Sequence, residues 1–358
     1  MNNNHGANLY ELSHNLGLNK TNIIDFSSNI NPFGLSPKAI ESLQKNIHLA
    51  SIYPDPDYKE LKKSISEYCH CFPKNIILGS GATELISATV KTVLPKTALL
   101  LTPAYSEYEK ELNKINCNIT KFYYKKENQF NIDILNLINT IEKNDFDLIV
   151  ICNPNNPTGT LIPIGDIKII EEKFKKTIMI DETYIEFTDF EKTSAISLAI
   201  NNPNLIVIRG TSKFFATPGI RLGYAILAQG ELFNKINRLP NLWNINIFAS
   251  IMGESMFKDT EYINMCHLKF EENFNLLFLG LKKIENIKVY NSNSNFILCE
   301  ITNPNFSVDN LYLSLYKKGI IIRKAESFEG LNNKFFRICV LTKEHIKILL
   351  NEINNFFK

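Results

Sequence analysis

A chain of 358 residues with 44% hydrophobic and 21% charged side chains can bury a large core, which excludes a disordered or fibrous class and leaves room for two domains. Thirty-nine basic residues against thirty-seven acidic ones give a formal charge of +2, so neither nucleic acid nor a membrane is expected as a partner. No apolar run reaches the roughly 20 residues that span a bilayer, MNNNHGANLYEL lacks a signal-peptide pattern, and seven scattered cysteines form no framework; a cytoplasmic protein with reduced thiols is expected.

In chain order, residues 1–35 read as an irregular N-terminal arm ending in the turn-rich NINPFGLSP. Apolar strands and amphipathic helices then alternate. Ile76 to Leu78 leads into a helix from Ala82, and Ala98 to Leu101 is a short buried strand before another helix. Leu148 to Cys152, Ile178 to Ile180 and Leu205 to Ile208 are further continuous apolar runs. Such runs suit strands covered on both faces, so an α/β fold with a mainly parallel sheet and helices on both faces is expected over residues 36–245. From residue 246 to 358 the pattern becomes a long helix (Thr260 to Ile284), strands at Phe296 to Ile301, Ile320 to Arg323 and Phe335 to Val340, and two more helices. That is a smaller α+β domain.

Ligands of an open α/β sheet bind beyond the carboxyl ends of its strands, and four segments place unusual residues there. Gly79-Ser80-Gly81-Ala82-Thr83-Glu84 is a glycine turn feeding a helix N-terminus, suited to a phosphate or to plain connection. Asn153 to Gly159 is a rigid loop that positions the Asn156 amide. Asp181 after a buried strand is costly unless it meets a cation or caps the next turn, and Tyr184 follows it. Lys213 follows a strand and two hydroxyls, Thr211 and Ser212, and a Pro-Gly turn brings the chain to Arg221 eight residues later. Only five of the basic residues are Arg (209, 221, 238, 323 and 337), so each is a candidate anion ligand. Cys69-His70-Cys71 lacks a second ligand pair at zinc spacing and reads as a helix terminus; no metal is expected.

SKFFATPGIRLGY, NPNNPTG and DETY together resemble the class I/II aminotransferase superfamily of fold type I enzymes, which use pyridoxal 5'-phosphate (PLP). The resemblance implies that Lys213 forms the Schiff base, Asp181 pairs with the pyridine nitrogen, and Asn156 and Tyr184 contact the phenolic oxygen. It further implies that Tyr105 stacks on the ring and that Gly81, Ala82, Thr83, Ser212 and Arg221 hold the phosphate. Tyr53 would reach the phosphate in a neighbouring subunit, implying a homodimer with shared active sites, and Arg337 would take the substrate carboxylate. The chain departs from the pattern at Gly210, where many relatives carry a hydroxyl; Thr211 or backbone amides are expected to substitute.

HGAN at residues 5–8, DFSSNINPFG at 25–34, LWNIN at 242–246 and GIIIR at 319–323 followed by SFEGL are similar to the threonine-phosphate decarboxylases of cobalamin biosynthesis. Arg323 and Arg337, fourteen residues apart on two expected strands, suit a substrate bearing both phosphate and carboxylate; Arg323 paired with Glu326 is the plain alternative. The arm would close over that substrate with His5, the Gly6 amide and Asn29. The resemblance therefore implies decarboxylation of O-phospho-L-threonine to (R)-1-aminopropan-2-ol phosphate. O-phosphoserine decarboxylation and histidinol phosphate transamination with 2-oxoglutarate are the alternatives. All three share nearly all their residues, and residue chemistry alone does not separate them.

Overall fold

The computed structural model describes residues 8–358. The arm is not irregular throughout. Residues Leu9–Leu16 form helix α1, opened by a reciprocal cap in which Asn8 Oδ1 accepts from the Glu11 amide at 3.2 Å and Asn8 Nδ2 donates to Glu11 Oε2 at 2.7 Å. Gly17, at φ 63, closes it in the left-handed conformation that suits glycine. A two-residue strand, β1 (Ile24–Asp25), follows. Helices α2 (Pro37–Asn46) and α3 (Lys59–Cys69) come next, with Cys69-His70-Cys71 at the C-terminus of α3.

The central layer is built from β2 (Ile76–Gly79), β3 (Thr97–Thr102), β4 (Asn118–Tyr123), β5 (Leu148–Cys152), β6 (Thr177–Asp181), β7 (Leu205–Gly210) and β8 (Gly223–Ile226). Helix α4 (Ala82–Val93) follows β2 and α5 (Ser106–Lys114) follows β3. The strand order is β2-β8-β7-β6-β5-β3-β4, and only β8 runs against the rest. Strands β5, β6 and β7 are buried almost throughout, which is why their sequences are unbroken apolar runs. The edge strand β4 is polar and alternately exposed, and such a strand gives no comparable signal.

The C-terminal part has an antiparallel sheet of β9 (Ile287–Val289), β10 (Phe296–Ile301), β12 (Arg323–Lys324) and β13 (Phe335–Cys339), in the order β12-β13-β10-β9. Strand β11 (Ile320–Ile321) leaves this sheet and pairs with β1 in parallel, Ile24 opposite Ile320 and Asp25 opposite Ile321. That pairing anchors the arm beside the site. The helix Ile247–Met256 packs on α2 and α3, and the long helix Thr260–Lys282 packs on β9 and the C-terminal helix Lys343–Phe357. Among the described residues no helix is long and apolar enough to cross a membrane.

Candidate active site

The carboxyl ends of β5, β6 and β7, the start of α4 and the arm converge on a cavity of about 290 Å³. Four cations line it, Lys213, Arg221, Arg323 and Arg337, against one carboxylate, Asp181. Such an imbalance suits polyanionic ligands.

Asp181 ends β6 and is buried. One carboxylate oxygen caps the following turn, accepting from the Thr183 amide at 2.9 Å and hydroxyl at 2.5 Å; the other accepts from Tyr108 Oη at 2.7 Å. Burial pushes its pKa up, and these hydrogen bonds oppose the shift. The turn-cap reading of Asp181 is thus realised in one oxygen only. Tyr184 is buried nearby, its hydroxyl accepting from Asn29 Nδ2 at 3.3 Å, and burial raises its pKa. Asn156 Oδ1 accepts from Arg337.

Lys213 Nζ donates to the Ser28 carbonyl at 2.7 Å. Burial, then the nearby Arg337 guanidinium, lowers its pKa to about 8, so an uncharged amine is accessible near neutrality. At the other end of the cavity Ala82 and Thr83 open α4, and the Ser80 amide donates to Glu84 Oε2 at 2.5 Å. Arg221 lies against this turn, Nη2 donating to Ser80 O at 3.3 Å. Gly81 stands at φ 87, a conformation that other residues rarely adopt, and a Cβ there would sit 2.3 Å from Arg221 Nη2 and displace that guanidinium. A helix N-terminus, an arginine brought against a bare glycine, and the Ser212 hydroxyl form a cradle for a phosphate ester. With a depressed-pKa lysine and a buried aspartate in the same cavity, this donor set fits PLP.

Arg323 and Arg337 face each other directly across β12 and β13. Arg337 is buried; its Nη2 donates to Ser27 O at 2.8 Å, and its Nε has no partner. Arg323 Nη2 donates to Ser327 Oγ at 2.8 Å, while Glu326 pairs with Lys324 at 3.1 Å and acts on Arg323 through its charge without a direct ion pair among the described residues. Among the described residues the Arg ion pairs are confined to Arg209, leaving the cavity arginines free of carboxylates. Burial, then Arg337, lowers the Arg323 pKa to about 10. Phe328 closes this side, on a segment whose Glu329 accepts from Tyr123 Oη at 2.5 Å and pairs with Lys121.

Eleven expected site residues therefore line one cavity: Ala82, Thr83, Tyr105, Asn156, Asp181, Tyr184, Ser212, Lys213, Arg221, Arg323 and Arg337. Others fall elsewhere. Asn29 is wholly buried behind Tyr184 rather than in the cavity lining. Tyr53 is 74% exposed and stacks on Trp243 with centroids 4.2 Å apart. Thr211 does not substitute for the hydroxyl missing at Gly210, because its own hydroxyl is buried on Leu222 O at 3.1 Å. His5 and Gly6 lie outside the described residues. Sequence reasoning missed Tyr108, although it follows Tyr105 by three residues in the first turn of α5. It also missed the Ser27 and Ser28 carbonyls, for which no side-chain signal exists.

A family model described as "Aminotransferase class I and II" matches residues 21–353. The chain is 35% identical over 358 residues to a Caldanaerobacter subterraneus subsp. tengcongensis protein named "Putative threonine-phosphate decarboxylase", covering 99% of this chain and 94% of that one. It is 31% identical to a histidinol-phosphate aminotransferase of Methanococcus maripaludis, covering 95% and 91%. A crystal structure of the histidinol-phosphate aminotransferase from Clostridium acetobutylicum superposes with a TM-score of 0.86 at 36% identity, covering 93% and 98%.

Proposed function

The chain belongs to the class I and II aminotransferases, a PLP-dependent family of enzymes, and from that premise we propose that it decarboxylates O-phospho-L-threonine to (R)-1-aminopropan-2-ol phosphate. The observation that carries this reading is the pair Arg323 and Arg337, in register on β12 and β13 and unpaired with any carboxylate among the described residues. Two guanidinium forks suit one substrate bearing a phosphate and a carboxylate.

Ala82, Thr83, Ser212 and Arg221 would hold the cofactor phosphate, Asp181 its ring nitrogen, Asn156 and Tyr184 its phenolic oxygen, and Lys213 its aldehyde carbon. When bound, the cofactor withdraws electrons from the substrate Cα, so the Cα bond standing perpendicular to its ring is the one that breaks. Arg323, at the Ser327 turn, takes the substrate phosphate and Arg337 the carboxylate, and together they set which bond stands out of plane. The carboxylate would leave as carbon dioxide with its bonding electrons left on the substrate, and the Lys213 ammonium would supply the one proton that Cα then needs, becoming neutral itself. Tyr53, exposed and outside the cavity lining of its own chain, would contribute to a neighbouring subunit in a homodimer.

A second reading, transamination of histidinol phosphate, is favoured by the identity to the Methanococcus and Clostridium proteins so named. One assay separates the two. Holoenzyme given O-phospho-L-threonine without an oxo acid should release stoichiometric carbon dioxide. No gas, together with amino transfer from histidinol phosphate to 2-oxoglutarate, would overturn decarboxylation. O-phosphoserine should be a poorer substrate, since one methyl group is worth about 1 kcal/mol of discrimination.

A further inference from the structure

Lys213 and Arg337 are held by adjacent backbone carbonyls of the arm, Ser28 O at 2.7 Å and Ser27 O at 2.8 Å. Successive carbonyls of an extended strand point to opposite sides, so the chain must turn for both to serve one cavity. The turn is fixed at both ends. Upstream, Asp25 Oδ1 accepts from the Ser27 amide at 2.8 Å and the Ser27 hydroxyl at 2.5 Å. Downstream, Asn29 stands at φ 56 and its carbonyl accepts from Asn295 Nδ2 at 2.8 Å. Asp25 is itself seated by the pairing of β1 with β11.

Closing this turn needs only a neutral acceptor, as in an asparagine. A carboxylate stands there instead, and its second oxygen, Oδ2, is buried without a partner. The charged and titratable groups around Lys213 are Asp25 from the arm, Arg337 and Cys339 from β13, Arg221 from the turn after its own loop, and Asp181 and Tyr184 across the cavity. Of the two carboxylates, Asp181 accepts hydrogen bonds on both oxygens, whereas Asp25 accepts them on Oδ1 alone.

We propose that Asp25 is a positioning residue, which through the Ser27-Ser28 turn aims the Lys213 nitrogen and the Arg337 guanidinium into the cavity and which adds a negative charge to that turn. The substrate part of this inference rests on the proposed decarboxylation; the charge part does not.

The experiment compares holoenzyme of the parent, Asp25→Asn and Asp25→Ala in two readouts. The first is a pH titration of the visible absorbance of the bound cofactor, with no substrate present. Both variants lose a negative charge that acts on the Lys213 nitrogen, so the midpoint should fall by about half a pH unit or more in each. The second is steady-state kinetics with O-phospho-L-threonine. Asp25→Asn keeps the acceptor oxygen and should hold KM within about twofold, whereas Asp25→Ala frees the turn and should raise KM about tenfold or more. Unmoved midpoints in both variants overturn the charge role. A KM that rises as far in Asp25→Asn as in Asp25→Ala, or in neither, overturns the turn role. If Asp25→Ala does not fold, Ser27→Ala tests the turn in its place by removing the hydroxyl bond to Oδ1 while the Ser27 amide keeps its own. Because the titration uses no substrate, a parent enzyme that released no carbon dioxide would undo the substrate assignment and leave the midpoint comparison standing.

Discussion

The five arginines divide by what anion each meets. Three line the cavity, Arg238 is on the surface, and Arg209 is fully buried against the chain's own carboxylates. Arg209 grips Glu182 Oε2 through Nε at 3.1 Å and Nη2 at 2.9 Å, and Glu182 also accepts from Ser194 Oγ and the Ala195 amide. This pair joins the ends of β6 and β7, next to Asp181 and Gly210. Arg209→Leu leaves a buried carboxylate unpaired and should cost about 3–5 kcal/mol in urea denaturation. Glu186 is the surplus partner, 3.7 Å from the same guanidinium, and burial raises its pKa to about 7. The folded chain therefore holds a proton that the unfolded chain releases near pH 4.5, so this contribution is complete below that pH and is lost as pH rises through 7. Glu186→Gln should accordingly stabilise the protein at pH 8 relative to pH 5, by up to about 3 kcal/mol in the same assay. That Arg209 meets an anion was legible from its rarity as a residue type. That the anion is internal was not, since Glu182 lies twenty-seven positions away and only the pairing of β6 with β7 brings it near.

At the scale of the element, the turn between β2 and α4 and the end of β7 make opposite demands on side-chain size. A Cβ at Gly81 would collide with Arg221 and the backbone stands at φ 87, so Gly81→Ala should weaken PLP binding at least tenfold in equilibrium dialysis, about 1.4 kcal/mol, while secondary structure survives. At Gly210 a Cβ meets nothing nearer than the Ala82 Cβ at 3.4 Å, an ordinary contact. Gly210→Ser should therefore fold normally and bind PLP at least as tightly as the parent, adding a hydroxyl at the edge of the phosphate cradle; weaker binding in the same dialysis would refute this. Elements were legible where burial leaves a mark on composition. Strands β5, β6 and β7 are covered on both faces and could hardly be anything but apolar. Strand β4 sits at an edge and carries Lys121 and Tyr123 toward Glu329, so its polarity conceals it. Helix α1 was missed for another reason: Asn8, Glu11 and Gly17 did mark its ends, but it is short and buries none of its residues.

For the molecule as a whole, the cavity gathers like charges before any anion arrives, and folding must bear that cost. Lys213 shows it most directly, its pKa lowered from 10.5 to about 8 by burial and by Arg337. Between those values the unfolded chain binds more protons than the folded one, so stability rises with pH across that interval, and below pH 8 the full cost of about 3 kcal/mol is present. Two consequences follow for protein stripped of cofactor. Lys213→Met, which fills similar volume without charge, should melt at a higher temperature than the parent at pH 7, and the gap should narrow as pH approaches 10. Anions that bind only the folded form should recover the same stability in the parent: PLP at about a hundred times its Kd adds about 2.7 kcal/mol, and inorganic phosphate at the same concentration adds less because it occupies the Gly81 cradle alone and binds more weakly. Calorimetry of parent and Lys213→Met, with and without each anion, reads both effects. Equal melting temperatures for the two stripped proteins at pH 7 would mean that the lysine is not strained by its surroundings, and that its readiness to lose a proton has some other origin.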